Sequence, residues 1–316
     1  MRMPRFLRPL VAILPPLLAG CATAPAEPVG VAPAQSVEAP ETAPLDRQNA
    51  TPALWKLSDE DTTIYLFGTM HVIKPDLAWF DGPVADAFAN SDEVMLEIVQ
   101  PSEAEAAEAV GGSAMLPEGQ TLSAMLTPPQ REKLVAASQG SGVPMAAIDR
   151  MQPWFAATMM TIAYGQKLGY SPASGGEQVL TRAAKENGKP VSGLETFRQQ
   201  IGFFDSMSSD AQIAFLMATI DAPDAMAADL ERMERAWAMG DIVDTAALLN
   251  EGFEDNPQVK TLLLDRRNAD WARQIDARMD RPGTVFIAVG AGHLAGENSV
   301  QDALAKRGLT VERIAY

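Results

Sequence analysis

Cysteine and histidine are nearly missing from this chain, with 1 Cys and 2 His in 316 residues. A single cysteine excludes an internal disulfide and any Cys-pair metal or redox motif. Positive charge is short as well: 25 Lys and Arg face 41 Asp and Glu, a formal net charge of −16 with a pI near 4.5. That balance argues against nucleic acid, whose binding needs a basic footprint. It also argues against electrostatic docking on anionic lipid. Familiar catalytic signatures are absent: there is no His-Glu-x-x-His, no Gly-x-Ser-x-Gly, no phosphate loop and no dinucleotide fingerprint. No repeat of fixed short period appears either.

The single cysteine has a context of its own. Arg2, Arg5 and Arg8 form a basic region, Leu10 to Leu18 an apolar run, and Leu18-Ala19-Gly20-Cys21 follows. A run this short with a small-residue exit reads as a secretory signal and not as a membrane span. The site resembles the bacterial lipobox, in which the cysteine becomes the lipidated first residue. Residues 1–20 are thus expected to be a lipoprotein signal peptide and Cys21 the lipid anchor. By the same resemblance, Ala22 after the cysteine implies the outer membrane, facing the periplasm. Residues 21–52 form an Ala/Pro-rich stretch without periodicity. Pro25, Pro28, Pro33, Pro40 and Pro44 forbid regular structure there, so it reads as a disordered tether. The folded domain is expected over 53–316.

Both histidines occur in one frame. Ile64-Tyr65-Leu66-Phe67-Gly68-Thr69-Met70-His71 and Val285-Phe286-Ile287-Ala288-Val289-Gly290-Ala291-Gly292-His293 each read as an apolar strand, a glycine, and a histidine three residues on. Leu54 to Leu57 and Thr62 to Phe67 make a hairpin around Ser58-Asp59-Glu60-Asp61. Further strands are expected at Glu93 to Ile98, Val191 to Glu195, Thr284 to Val289 and Leu309 to Ile314. Helices fill the intervals, among them Pro153 to Leu168, Gly175 through Lys185, and Leu262 to Met279; Met159 and Met160 read as core filler. Strands separated by long helical stretches imply an α/β fold, with a central mainly parallel sheet flanked by helices and a helical insertion.

In such sheets ligands collect at the carboxyl ends of the strands. His71, Glu97, Glu195 and His293 each sit at such an end, so parallel strands would bring all four to one rim. A carboxylate within Met95-Leu96-Glu97-Ile98 needs a partner, because burying an unpaired charge is expensive. Gly68 and Gly290 let the chain leave the sheet in a tight turn and bring backbone N–H groups near a ligand. Two histidines and a carboxylate form a competent divalent-metal set, and a metal would generate a hydroxide nucleophile. Without metal, one histidine would be a general base, a carboxylate would orient it, and an arginine would stabilise negative charge. The residues leave both open.

At Gly68-Thr69-Met70-His71, Met95-Leu96-Glu97, Gly193-Leu194-Glu195-Thr196, Arg267-Asn268 and Gly290-Ala291-Gly292-His293-Leu294 the chain resembles the TraB/GumN family, related to the Tiki proteins, from about Leu54 to Tyr316. The resemblance implies a fold similar to erythromycin esterase and to a haem-binding iron-uptake lipoprotein. It implies a metal-dependent peptidase or amidase acting on a peptide or protein, which the lipobox at Cys21 would anchor to the envelope. His71, His293 and Glu97 would hold a divalent ion (Mn, Co, Zn or Fe). Glu97 would double as general base, Arg267 would polarise the scissile carbonyl or pair with a buried carboxylate, and Glu195 and Asn268 would support them. Gly176-Glu177 departs from the Gly-x-Asp expected at the middle helix, so Glu177 is left out of the expected site. The competing expectations are a non-catalytic lipoprotein that binds a peptide or haem, and a metal-free hydrolase like the esterase relatives.

Overall fold

The stretch with the strongest β character, Gly283–Gly290, forms an interior strand of a six-stranded sheet. In the computed structural model, which describes residues 45, 49–221, 223–253 and 257–316, the strands are β1 (Leu54–Ser58), β2 (Thr62–Thr69), β3 (Glu93–Ile98), β4 (Val191–Glu195), β5 (Gly283–Gly290) and β6 (Glu312–Arg313). Their order across the sheet is β4-β3-β5-β2-β1-β6. β4, β3, β5 and β2 run parallel, and β1 is antiparallel to both its neighbours. The chain is therefore α/β, a mostly parallel sheet flanked by helices. The expected signal peptide, Cys21 and most of the expected tether lie outside the described residues.

Helices occupy the intervals between strands, with Pro153–Lys167 and Gly176–Glu186 close to their expected bounds. Two elements differ from expectation. The last strand shrinks to Glu312–Arg313, because Leu309 and Val311 pack on the helix side of the sheet instead of extending the ladder beside β1. The long late helix starts earlier than expected, with an α-helical turn at Pro257–Lys260, widens to a π turn at Thr261–Asp265 and resumes as α-helix at Arg266–Met279. Among the described residues no helix is long and apolar enough to cross a membrane.

Successive side chains of a strand point to opposite faces, and both faces of β5 are covered. Val285, Ile287 and Val289 pack with Trp271, Ile275 and Leu304, while Phe286 and Ala288 join the larger core on the other side. On β3, Val94, Leu96 and Ile98 join that larger core. Glu93 and Glu97 consequently face the helix Arg266–Met279. Arg278 Nε donates to Glu93 at 2.8 Å, and Arg267 meets Glu97. The helix thus runs antiparallel to β3. Arg267 and Arg278 are about 16 Å apart at 1.5 Å per residue, close to the ~13 Å between the two glutamates on the strand.

Candidate functional site

The parallel strands end together. Thr69 at the end of β2 lies opposite Gly290 at the end of β5, and Ile98 at the end of β3 lies opposite Glu195 at the end of β4. His71 follows β2 directly, and His293 sits in a 3-10 turn, Ala291–Leu294, directly after β5. The rim brings His71, Glu97, Glu195 and His293 to one place, and all four are buried, His293 fully. Arg267 and Asn268 reach it from the first turn of the helix Arg266–Met279.

Arg267 is the hub. Its Nε donates to Glu195 at 2.9 and 3.2 Å, and its Nη2 donates to Glu195 Oε2 at 2.9 Å and to Glu97 Oε1. Its Nη1 donates to the Leu263 carbonyl, inside the π turn, at 3.0 Å and lies 3.2 Å from His293 Nε2. A guanidinium has five N–H donors, and these contacts use every one. Of the two expected roles for Arg267, the one the geometry shows is pairing with buried carboxylates; no donor is left to polarise a carbonyl.

The same network fixes the His293 tautomer. Asn268 Nδ2 donates to the Asn298 carbonyl at 2.8 Å, which leaves Asn268 Oδ1 facing His293 Nδ1 at 2.6 Å. An amide oxygen only accepts, so Nδ1 carries the proton. Nε2 then accepts from Arg267. Burial, then the adjacent Arg267 charge, press His293 well below its ordinary value of 6.5, so the ring is neutral. Trp271 closes the cluster: its ring centre is 4.3 Å from that of His293, and its Nε1 donates to Glu195 at 2.9 Å.

The two hub carboxylates differ. Burial would raise Glu97, but Arg267 above all, aided by His71, holds it below 4.5. It also accepts from Gln200 Nε2 at 2.5 Å and from the backbone N–H of Gly290 at 3.1 Å. That second bond uses the Gly290 N–H, which was expected to point at a ligand. For Glu195 burial dominates, and despite Arg267 its carboxyl is raised above 4.5, with the Glu97 charge adding to the rise.

His71 has a carboxylate of its own, and it is one the sequence reading left out. Glu177, in the first turn of the helix Gly176–Glu186, places Oε1 2.8 Å from His71 Nδ1 and accepts from the Thr69 hydroxyl. The approach is close but off the line of the ring N–H, and His71 Nε2 has no protein partner. Burial presses His71 down, but the Glu177 carboxylate, aided by Glu97, outweighs it and raises the ring above 6.5. Burial would likewise raise Glu177, yet His71 and then Thr69 hold it below 4.5. Two glycines make the contact possible. A Cβ on Gly175 would stand 2.1 Å from the His71 carbonyl oxygen, and one on Gly176 would stand 2.7 Å from Thr69 Cγ2. The pair Gly175-Gly176 was the signal in the sequence. Gln200 and Trp271 are further site residues that no motif announced, and Thr69 stands inside the Gly68-Thr69-Met70-His71 motif with no role expected of it.

The donors as arranged do not fit the expected metal set. The His293 Nε2 lone pair accepts from a guanidinium, both Glu97 oxygens are engaged, and Arg267 already supplies the positive charge beside them. Among the described residues no three His, Cys, Asp or Glu side chains converge as ligands. Gly68 contributes its carbonyl to Trp237 Nε1 at 2.7 Å, a packing role. Beside the rim a cleft of about 620 Å³ opens between the ends of β3 and β4 and the helices Glu103–Ser113 and Phe197–Asp205, with Glu195 in its wall.

Comparison with known sequences agrees with this description of the fold's extent. The TraB/PrgY/gumN family model matches residues 53–313. The chain is 26% identical over 240 residues to the uncharacterized protein YbaP of Escherichia coli (strain K12), covering 76% of this chain and 87% of that one. The Shigella flexneri YbaP aligns with the same figures. An uncharacterized protein of Treponema pallidum (strain Nichols) is 21% identical over 271 residues, covering 81% and 80% of the two chains. No solved structure gives a significant match.

Proposed function

The chain belongs to the TraB/PrgY/gumN family, and from that premise we propose that it is an envelope-anchored hydrolase that activates water by general-base catalysis. The observation that carries this reading is the His71–Glu177 pair: one ring nitrogen lies against a buried carboxylate and the other is left without a protein partner. Glu177 orients the ring and stabilises its protonated form. His71 Nε2 takes the proton from a water that attacks an ester or amide carbonyl, and returns it to the leaving group. Glu97, Glu195, Arg267 and His293 form the fixed wall that holds the two strand ends in register. Anchoring through an acylated Cys21 at the outer membrane, with a peptide or protein as substrate, completes the proposal.

The test is turnover by the purified full-length protein on ester and peptide libraries, with and without a chelator. Wild-type turnover is expected to survive chelation. His71→Gln should lose about 10²–10⁴-fold, the ordinary share of general acid–base catalysis. Glu177→Gln should move the acidic limb of the rate profile to lower pH. Activity that vanishes on chelation and returns with one metal ion would reject the reading in favour of metal-dependent hydrolysis. A second reading, a non-catalytic binding lipoprotein, is favoured by the saturation of Arg267 and the burial of His293. It predicts no turnover at all, with ligand held in the neighbouring cleft.

A further inference from the structure

Four of the seven large apolar side chains exposed among the described residues gather at one place, while Val99, Val135 and Leu168 stand apart. Met239 is 62% exposed and Val243 77% exposed, with Ile242 between them. They lie where the helix Pro223–Ala238 gives way to Ile242–Phe253. The chain leading from Cys21 joins the fold at the same spot: the Thr51 N–H donates to the Ala238 carbonyl at 2.7 Å. The C-terminus closes the cluster, since Arg313 Nη2 donates to the Gly240 carbonyl at 3.1 Å and Tyr316, 47% exposed, donates through its hydroxyl to Pro52 O at 2.5 Å. Leu54 in β1 pairs with Phe67 near the end of β2. The patch therefore shares the sheet rim that carries His71.

We propose that Met239, Ile242, Val243 and Tyr316 form the face by which the domain rests on the lipid bilayer. The proposal builds on the lipid anchor at Cys21. Residues 22–48 separate that anchor from Asn49, and a chain of that length spans about 30 Å on average by coil statistics. That is shorter than the width of a compact domain of this size, roughly 45 Å, so the patch beside the attachment point is the face kept nearest the bilayer. Three aliphatic side chains and a tyrosine would bind membranes weakly from free solution. Tethering converts their contact into an intramolecular event at high effective concentration. Asp241 and Asp244 flank the patch, and the net charge is −16, so the fitting surface is zwitterionic and not anionic. Tyrosine at the patch edge suits the headgroup level. Docking by this face turns the His71 rim toward the bilayer, where substrates of the proposed hydrolase would meet it.

The experiment uses the full acylated chain in phosphatidylcholine–phosphatidylethanolamine vesicles. With Cys21 acylated, Val243→Cys supplies a single thiol for an environment-sensitive fluorophore. Glu60→Cys, in the β1–β2 turn at the opposite rim, supplies the control. Shallow spin-labelled lipid is expected to quench the label at 243 several-fold more than the label at 60. Adding Met239→Asp should abolish the difference while circular dichroism shows the fold retained. Equal quenching at both positions, or none at 243, would overturn the proposal, as would energy transfer between labelled copies in dilute vesicles, which would mark the face as a self-association surface. Mass spectrometry of Cys21 separates the failures. An acylated chain without quenching overturns the docking face alone, and a bare Cys21 overturns the anchor and the face together.

Discussion

Replacing Arg267 with methionine is the most informative perturbation of the rim. The side chain keeps an unbranched apolar stem but loses the guanidinium, and with it all five N–H donors and the stacking over Trp271. Glu97 and Glu195 are then left buried beside each other, with only Gln200, Trp271 and the Gly290 N–H to satisfy them. Breaking a buried ion pair by removing one partner costs about 3–5 kcal/mol. The alternative is to protonate one carboxyl. From an ordinary value near 4.5 that costs about 4 kcal/mol at pH 7.5 and about 1.4 kcal/mol at pH 5.5, at roughly 1.4 kcal/mol per unit. The two routes agree at neutral pH. At ~2–4 °C per kcal/mol for a chain of this size, the melting temperature should fall by roughly 10 °C. The sign of the pH dependence is diagnostic. In the variant a carboxyl pKa is raised in the folded state, so its stability contribution is present at low pH and lost as pH rises above 4.5. Wild-type Glu97 and Glu177 are lowered, so their contribution is present above 4.5 and lost as pH falls. Denaturant melts followed by circular dichroism should show Arg267→Met gaining stability relative to wild type on going from neutral to mildly acid pH. A variant within about 1 kcal/mol of wild type at both pH values would refute the hub.

Three further outcomes follow from the same geometry. With 2 His in the chain, imidazole NMR should resolve one ring titrating above 6.5 and another staying neutral well below it. Glu177→Gln should lower only the first. Folding stability should track both rings: the His71 contribution is full below 6.5 and lost as pH rises through its raised value, and that of neutral His293 is lost as pH falls below 6.5. Gly175→Ala should cost at least ~2 kcal/mol, because its Cβ would meet backbone atoms of His71; a melt unchanged from wild type would mean the helix does not dock there. Trp271→Phe keeps the ring over His293 but removes the N–H to Glu195, a loss of about 1–3 kcal/mol for a buried acceptor left short, read by denaturant melts against wild type.

What could be read from the sequence was set by distance along the chain. The strands were legible because each is a local run of β-formers, and their mainly parallel direction, though not their order in the sheet, followed from the helical lengths between them. The rim followed in turn, since a residue at a strand's carboxyl end keeps that position whatever packs on it. The roles did not follow. Arg267 could be placed near Glu97 by resemblance, but whether its donors are free or spent depends on Leu263, Glu195 and His293 arriving from three other elements. A π turn that brings the Leu263 carbonyl to the guanidinium leaves no mark in residue type. Glu177 is the sharper case. Its departure from the expected pattern argued for leaving it out, yet the glycines before it carried the physical signal. Two adjacent residues without a Cβ at the start of a helix mean that another backbone passes within contact distance. In a sheet whose ligands gather at the carboxyl rim, the backbone most in need of such an approach is the turn that carries a histidine. On that argument a Gly-Gly pair opening a helix after a rim strand should be searched for a carboxylate in its first turn before any motif is consulted. His71 is then expected to depend more on Glu177 than on Glu97: Glu177→Gln should depress its pKa further than Glu97→Gln does, and the reverse order in a two-histidine titration would show that the hub, and not the dyad, governs the ring.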